Sequence, residues 1–138
     1  MNKKNKILNS KILIVLAEFY EDISSHQLDN AKLLIPSKEI KVIKVQGVFE
    51  IPVTISKNIK KYDAFIALGC VIKGETPHFD FISQATTNAI MKLSIDYKKP
   101  IGNGIITCLN REQALDRTKK GEEAANAVIQ VLSYKKLF

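Results

Sequence analysis

The segment from Gly69 to Asp80 combines more residue types capable of chemistry than any other stretch of similar length. It reads GCVIKGETPHFD and holds two glycines, a proline, a glutamate, a threonine and His78, one of the chain's two histidines. An imidazole accepts and donates protons near neutral pH. Backbone amides in a glycine-containing turn that opens a helix can bind anions. We therefore predict proton transfer and anion binding in this segment.

The elements around this segment predict a small α/β fold. Apolar runs of strand length alternate with stretches of helical periodicity, which is typical of a parallel sheet with helices on both faces. The strands are expected at Lys11–Ala17, Ile40–Val45, Tyr62–Leu68 and Ile101–Cys108. The second strand alternates between apolar and polar residues, which indicates a half-buried or edge position.

The helices are expected to begin and end at ordinary capping and breaking residues. Ser24 or Ser25 can cap the first helix through a side-chain oxygen. The longest helix is predicted over His78–Tyr97 and is stopped by a following proline. Asn110 can cap a last helical region, which Gly121 is expected to break or bend.

Loops that leave the carboxyl ends of the first three strands meet at one rim of such a sheet, so their side chains can share a site. Phe19 offers a flat face to a planar ring, and the Val48-Phe49-Glu50 turn offers backbone groups and a carboxylate to hydroxyls. Each residue also has a structural explanation: Phe19 packed on the core, Glu50 as a helix-start acid, and His78 as a capping residue. The residues alone leave these alternatives open.

Length and composition exclude several classes of protein. A chain of 138 residues is typical of one domain, which we place at residues 11–138 after an N-terminal arm at residues 1–10. The net charge is +7, but the lysines are scattered and no basic stripe is interleaved with aromatic residues. Nucleic acid is therefore not expected as a partner. No apolar stretch is long enough to cross a membrane.

The cysteines and histidines show no metal-ligand spacing, so no metal site is expected. Cys70 and Cys108 lie far apart in sequence near predicted strand ends, and without a signal peptide we expect reduced thiols and a cytoplasmic protein. Cys70 as a nucleophile is an open alternative, with His78 nearby in sequence. His26 lies on an amphipathic helix and is interpreted as structural.

Three segments of the chain resemble the lumazine synthase family. They are GVFEIP at Gly47–Pro52, YDAFIALGCVIKGETPHFD at Tyr62–Asp80 and NREQALDR at Asn110–Arg117. Their order and spacing extend the resemblance over nearly the whole chain. The resemblance implies a flavodoxin-like three-layer α/β/α fold with a four-stranded parallel sheet. It also implies a homopentamer or a multiple of one, with sites between neighbouring subunits, and riboflavin synthase as a partner protein.

The implied reaction condenses 5-amino-6-(D-ribitylamino)uracil with 3,4-dihydroxy-2-butanone 4-phosphate to give 6,7-dimethyl-8-ribityllumazine, the penultimate step of riboflavin biosynthesis. Phosphate and water leave, and no metal or organic cofactor is required. His78 matches the family's proton-transfer residue. The positions that match ribitylaminouracil-binding residues are Phe19, Val48, Phe49, Glu50, Cys70, Val71, Ile72 and Asn103. Those that match butanone phosphate-binding residues are Glu75, Thr76, Arg117 and Lys120, or Lys119 in place of Lys120.

Two departures from the family pattern affect the ring-binding part of the site. Tyr20 stands where many members have asparagine, and Asn103 stands where many have phenylalanine. One side of the aromatic sandwich around the ring is therefore in question. Asn103 and Arg117 match positions that reach into the neighbouring subunit's site. Three alternatives to the synthase stay open: an inactive flavin- or lumazine-binding pentamer, a riboflavin synthase of related fold, and a structural shell protein.

Overall fold

The computed structural model describes residues 9–35 and 39–134, which form a parallel sheet between two layers of helices. The strands are β1 (Lys11–Ala17), β2 (Glu39–Val45), β3 (Ala64–Ile72) and β4 (Ile101–Cys108). The helices are α1 (Glu21–Leu34), α2 (Ile51–Asn58), α3 (His78–Tyr97), α4 (Arg111–Asp116) and α5 (Lys120–Ser133), with a 3-10 turn at Val48–Glu50. The strand order is β2-β1-β3-β4 and every pairing is parallel. The expected flavodoxin-like three-layer fold is confirmed.

The strand predictions are accurate except for the third strand. β1 and β4 have the predicted bounds, and β2 lies at an edge of the sheet and begins one residue earlier than predicted, at Glu39. The prediction for β3 was wrong at both ends, because the strand begins at Ala64 and continues past Gly69 to Ile72. Gly69 does not end the strand, because the backbone from Gly69 to Ile72 pairs with β4, and its bare backbone lets Val48 pack closely, since a Cβ there would lie 2.7 Å from Val48 Cγ1.

Helices cover both faces of the sheet, as its continuous apolar strands require. α1 and α5 cover one face, where Ala124 and Val128 of α5 pack with Ile12 and Ile14 of β1. α2 and α3 cover the other face, whose core includes Leu13, Val15, Ile51, Ile55 and Phe65. The strands are thereby held in place from both sides, and their carboxyl ends form a rigid rim.

Two helix boundaries agree with the sequence prediction. α3 has the predicted bounds, and Lys98 after it adopts the left-handed conformation with φ 55°. Asn110 caps α4 through its Oδ1 atom, which accepts a hydrogen bond from the Gln113 amide at 2.9 Å. Both boundaries depend on residues that lie next to them in the chain, so they can be predicted from the sequence alone.

Two other predictions about helices were wrong. α1 begins at Glu21, so the expected serine caps lie inside the helix, and the Ser24 hydroxyl instead donates to the Ala17 carbonyl of β1 at 2.5 Å. The helical region after Asn110 is broken as predicted, but the break lies at residues 117–119, and Gly121 is the second residue of α5. It permits close packing of two helices, because a side chain there would overlap the backbone carbonyl of Gln27 in α1.

Two expectations concern the surface and the ends of the chain. None of the helices in residues 9–35 and 39–134 combines the length and apolar character needed to cross a membrane. The arm expected at residues 1–10 lies outside the described residues, apart from Asn9 and Ser10. The single domain at residues 11–138 stays a prediction.

Candidate active site

An open cavity lies at the carboxyl rim of the sheet, where the sequence predicted a site. Its volume is about 780 Å³, within the range of small-molecule sites. It is lined by Phe19, Tyr20, Gln46, Gly47, Val48, Phe49, Glu50, Cys70, Val71, Ile72, His78 and Ile82. The segments at the ends of β1, β2 and β3 thus converge in one place, as the parallel topology requires.

Phe19 and Tyr20 form the wall that follows β1. Immediately before them, the Glu18 amide donates to the Val45 carbonyl at the end of β2 at 2.8 Å, which fixes the start of the turn. The two rings pack edge to face with centroids 4.9 Å apart. Phe19 is 68% exposed, so the explanation of Phe19 as a core aromatic is wrong. Its ring is available to a planar ligand.

The turn Val48–Glu50 forms the second wall. The Glu50 amide donates to the Gly47 carbonyl at 3.2 Å and closes the turn. Val48 is buried against Gly69, whereas Phe49 and Glu50 are exposed. The turn therefore presents a carboxylate at the cavity. Glu50 also stands directly before α2, so its position fits the helix-start explanation as well.

The end of β3 supplies the third wall. Cys70, Val71 and Ile72 belong to the strand and pair with residues 106–108 of β4. The Lys73 amide then donates to the Cys108 carbonyl at 2.9 Å, which extends this pairing by one residue. The backbone that faces the cavity here is thus held by the sheet and not by a loop.

Cys70 and Cys108, far apart in sequence, lie in one small apolar cluster behind the third wall. Burial, and secondly the neighbouring Cys108, raise the pKa of the Cys70 thiol to about 12. Burial also raises the pKa of Tyr20, and the two cysteines add to that effect. A thiol that stays neutral at physiological pH is a poor nucleophile, which argues against the alternative of Cys70 as the reacting group.

His78 is the first residue of α3 and lies at the edge of the cavity. Pro77 occupies the cap position, so the capping explanation for His78 is wrong. The His78 amide donates to the Thr76 hydroxyl at 3.4 Å. Its exposed imidazole makes no hydrogen bond to another described residue, so it is available to exchange protons with a ligand or with water.

Glu75 and Thr76 lie beside His78 in the loop between β3 and α3, but outside the cavity lining. Both residues are exposed, and a Cβ at neighbouring Gly74 would have no heavy atom within 4 Å. The loop leads into the N-terminus of a helix of 20 residues, where the helix dipole and free amides favour an anion.

Asn103, Arg117 and Lys120 lie away from the cavity, along the edge strand β4 and the segment that follows it. We call these three residues the β4-edge group. The Asn103 Oδ1 atom accepts from the Ile105 amide at 3.1 Å. Arg117 is exposed, and its Nη1 atom donates to the Thr107 carbonyl at 3.2 Å. Lys120 is the first residue of α5. The chain thus separates its predicted site residues into two groups.

The sequence analysis missed Gln46 and Ile82 as cavity residues. A signal was present for both, since Gln46 directly precedes the turn and Ile82 stands four positions after His78, on the same face of α3. Within the described ranges, no group of three or more His, Cys, Asp or Glu side chains could hold a metal ion.

Comparison with known proteins gives one consistent family. The family model described as 6,7-dimethyl-8-ribityllumazine synthase matches residues 9–136. A 6,7-dimethyl-8-ribityllumazine synthase from Corynebacterium kroppenstedtii is 40% identical over 128 residues, covering 86% of this chain and 80% of the relative. The synthase from Afipia carboxidovorans is 36% identical over 150 residues, covering 99% and 92%. The synthase from Bartonella tribocorum is 41% identical over 137 residues, covering 92% and 91%.

Proposed function

The chain belongs to the 6,7-dimethyl-8-ribityllumazine synthase family, and we propose that its cavity and its β4-edge group are two halves of one shared active site. As a family member it is a transferase of riboflavin biosynthesis. It condenses 5-amino-6-(D-ribitylamino)uracil with 3,4-dihydroxy-2-butanone 4-phosphate and releases phosphate and water. The observation that carries the proposal is the cavity, which gathers Phe19, Val48, Cys70 and His78 from three separate segments.

In this proposal the ribitylaminouracil binds in the cavity. The exposed ring of Phe19 stacks on the pyrimidine, and backbone groups of residues 70–72 hydrogen-bond to the edge of the ring. The Val48–Glu50 turn holds the ribityl chain, with the Glu50 carboxylate as an acceptor for hydroxyl groups. The volume of about 780 Å³ and the exposure of Phe19 and Glu50 support this assignment.

The butanone phosphate binds where the cavity of one copy meets the β4-edge group of the next. Glu75 and Thr76 contribute backbone amides before the N-terminus of α3. Arg117 and Lys120 of the neighbouring copy contribute the cations, because charge-assisted hydrogen bonds hold phosphate strongly. Asn103 of that copy closes the ring pocket. The position of all three β4-edge residues outside the chain's own cavity supports a site made by two copies.

The bound substrates then react through proton-coupled steps. The amine of the uracil attacks the ketone, and a first water leaves to give a Schiff base. Phosphate is then eliminated, and the ribitylamino nitrogen closes the ring on the remaining carbonyl with loss of a second water. His78, which lines the cavity with an exposed imidazole, takes and returns protons in these steps. Holding the two substrates together supplies much of the acceleration, and Arg117 stabilises the charge of the departing phosphate.

The surface of α3 supports assembly into a homopentamer. Of the 20 residues in this helix, only Thr86 and Ile90 are buried in the single chain. Phe81 is 67% exposed and Ile95 is 65% exposed. Apolar surface of this kind is typical of an interface.

The location and the partner protein are part of the same proposal. The free cysteines Cys70 and Cys108 support a reducing compartment, and we place the enzyme in the cytoplasm. The product is the substrate that a riboflavin synthase consumes, so that enzyme is the partner protein expected from the chemistry.

The initial rate of lumazine formation from the two purified substrates tests the proposal. The rise in absorbance is corrected with a blank without protein, which removes any uncatalysed reaction. We expect saturable formation, and native mass spectrometry of the same sample should give a pentamer or a multiple of it. A rate equal to the blank, together with tight binding of lumazine or flavin, would indicate a binding protein instead. An active monomer would contradict the shared site.

A further inference from the structure

Gln27 is a fully buried polar residue in the middle of α1. Its Nε2 atom donates to the Gly69 carbonyl of β3 at 3.1 Å and to the Gly104 carbonyl of β4 at 2.7 Å. One side-chain amide thus connects a helix to two neighbouring strands. Both strands lead directly from these glycines into the rim of the sheet.

Gly69 is the point where this connection meets the cavity. On one side of the strand its carbonyl accepts from Gln27. On the other side its bare backbone is covered by Val48, whose Cγ1 atom would lie 2.7 Å from a Cβ at this position. Cys70, the next residue, lines the cavity, as does Val48. Gln27 therefore lies directly behind the backbone on which two cavity walls depend.

An apolar side chain at this position would fill the same space without a desolvation cost. The Oε1 atom of Gln27 is buried and has no hydrogen-bond partner among the described residues, which is unfavourable for an amide in an apolar core. Its neighbours on the buried face of α1 include Ile23 and Ala31. Packing alone does not explain why an amide side chain occupies this position, whereas the two hydrogen bonds that it donates do.

We propose that Gln27 is a positioning residue for the ribitylaminouracil pocket. Its two donated hydrogen bonds fix the positions of the Gly69 and Gly104 carbonyls. They thereby determine where the backbone of residues 70–72 contacts the pyrimidine ring of the substrate and where Val48 packs. Gln27 does not touch the substrate. This inference rests on the proposed function of the cavity, and it adds a residue from outside the cavity lining.

Gln27→Met tests the proposal because methionine has a similar length and volume but no donor. We expect the KM for ribitylaminouracil to rise about tenfold, as for the loss of a buried hydrogen-bonded pair. The KM for the butanone phosphate and kcat should stay within about twofold, since neither Arg117 nor His78 is contacted. Hydrogen exchange should become faster at the amides of residues 70–72.

Ala31→Gly is the matched control, since Ala31 is buried one turn further along the same helix and makes no bond to β3 or β4 through its side chain. It destabilises α1 without removing the amide. The proposal requires Gln27→Met to raise the KM for ribitylaminouracil at least fivefold more than Ala31→Gly, at an equal or smaller loss of Tm. Equal KM values in the two variants would overturn it.

Gln27→Leu gives a second variant without a donor if the methionine variant is not recovered as a folded protein. Slower or unchanged exchange at residues 70–72 in whichever variant folds would also overturn the positioning role. Failure of the proposed function has a different outcome, since the unaltered enzyme would then not form lumazine above the blank. In that case the exchange measurement still decides whether Gln27 fixes the strand ends.

Discussion

The cavity and the β4-edge group differ in how completely one chain builds them. The cavity is concave, and three segments bring an aromatic ring, a carboxylate and an imidazole to it. The β4-edge group is spread along and beyond an edge strand, with Arg117 exposed and its side chain donating to the Thr107 carbonyl. One region is a pocket in the single chain, whereas the residues of the other lie outside the lining of that pocket.

Under the proposed function, this difference corresponds to a division of roles between two copies of the chain. The cavity holds what is needed to bind a planar ring and to move protons, but its lining contains no arginine or lysine. A phosphate substrate needs such cations, and the β4-edge group supplies Arg117 and Lys120. The comparison therefore predicts that changes in the two regions affect different substrates and different kinetic constants.

The largest effect is expected at the β4 edge. Arg117→Ala should raise the KM for the butanone phosphate about a hundredfold, because the charge-assisted hydrogen bond to phosphate is lost. The KM for ribitylaminouracil should change little. Arg111→Ala is the matched control, since Arg111 is also exposed but pairs with Asp22. Steady-state kinetics with each substrate varied in turn measure both KM values. An unchanged KM for the butanone phosphate would contradict the assignment of phosphate binding to the β4-edge group.

Mixed assemblies sharpen the same comparison. Arg117→Ala chains keep an intact cavity, and chains with Phe19→Ala and His78→Ala keep an intact β4 edge. If each site uses both groups from different copies, co-assembly in equal amounts should restore about a quarter of the sites. Activity no higher than that of the two parent variants would mean that each chain uses its own residues only.

The next prediction concerns the free energy of unfolding and compares two glycines, one near each region. Gly121→Ala, in the helix after the β4-edge segment, should lower the free energy of unfolding by about 2 kcal/mol because the new methyl group meets the Gln27 carbonyl. Gly74→Ala, in the loop beside the cavity, has open space and should change it by less than about 1 kcal/mol. Urea unfolding followed by circular dichroism measures the free energy of unfolding of both variants. Equal losses would show that the close contact between Gly121 and the Gln27 carbonyl does not limit the side chain at residue 121.

A smaller effect is expected in the cavity itself. His78→Ala should lower kcat about tenfold, since the proton transfers then depend on water and the imidazole is one of several contributions. Both KM values should stay within about threefold because the stacking and phosphate contacts are intact. Single-turnover rates at saturating substrates isolate this effect. A change confined to the phosphate KM would instead assign His78 to phosphate binding.

The smallest effect concerns the thiol behind the cavity wall. Because its pKa is raised to about 12, Cys70 should react with iodoacetamide far more slowly in the native protein than in the urea-unfolded chain at about pH 8. The ordinary pKa of a thiol in the unfolded chain is 9.0, so the stability associated with the neutral thiol is lost as pH rises from there toward about 12. Mass spectrometry of labelled peptides measures the rates. Equal labelling rates in the native and unfolded chains would mean that the end of β3 opens readily and exposes the Cys70 thiol.

Much of the fold was predictable because its signals are local. The bounds of β1, β4 and α3 follow from apolar runs and a proline stop, and Asn110 caps α4 as its residue type suggested. The convergence of Phe19, the Val48 turn and His78 also followed, since parallel strands bring their carboxyl ends to one rim. The predicted roles of these residues in binding and catalysis stay predictions.

The rest depended on contacts between distant residues. A glycine is a frequent strand breaker, so Gly69 concealed the continuation of β3, which follows from its pairing with the distant strand β4. Gln27 looked like an ordinary polar helix residue, and its burial follows from the carbonyls it meets on two strands. That Arg117 lies outside the chain's own cavity was implied only by the family resemblance, because motif spacing does not report distances in space.

The packing of α5 against β1 has a consequence for how the protein is made. Ala124 and Val128, near the end of the described chain, complete the apolar core around Ile12 and Ile14 near its beginning. A nascent chain therefore cannot complete the burial of the β1 face that carries Ile12 and Ile14 until α5 has been synthesised. A translation product that stops before residue 120 would carry every cavity residue in its sequence but lack the helix that closes one face of the sheet. The core on that face of β1 thus depends on a segment that is synthesised late.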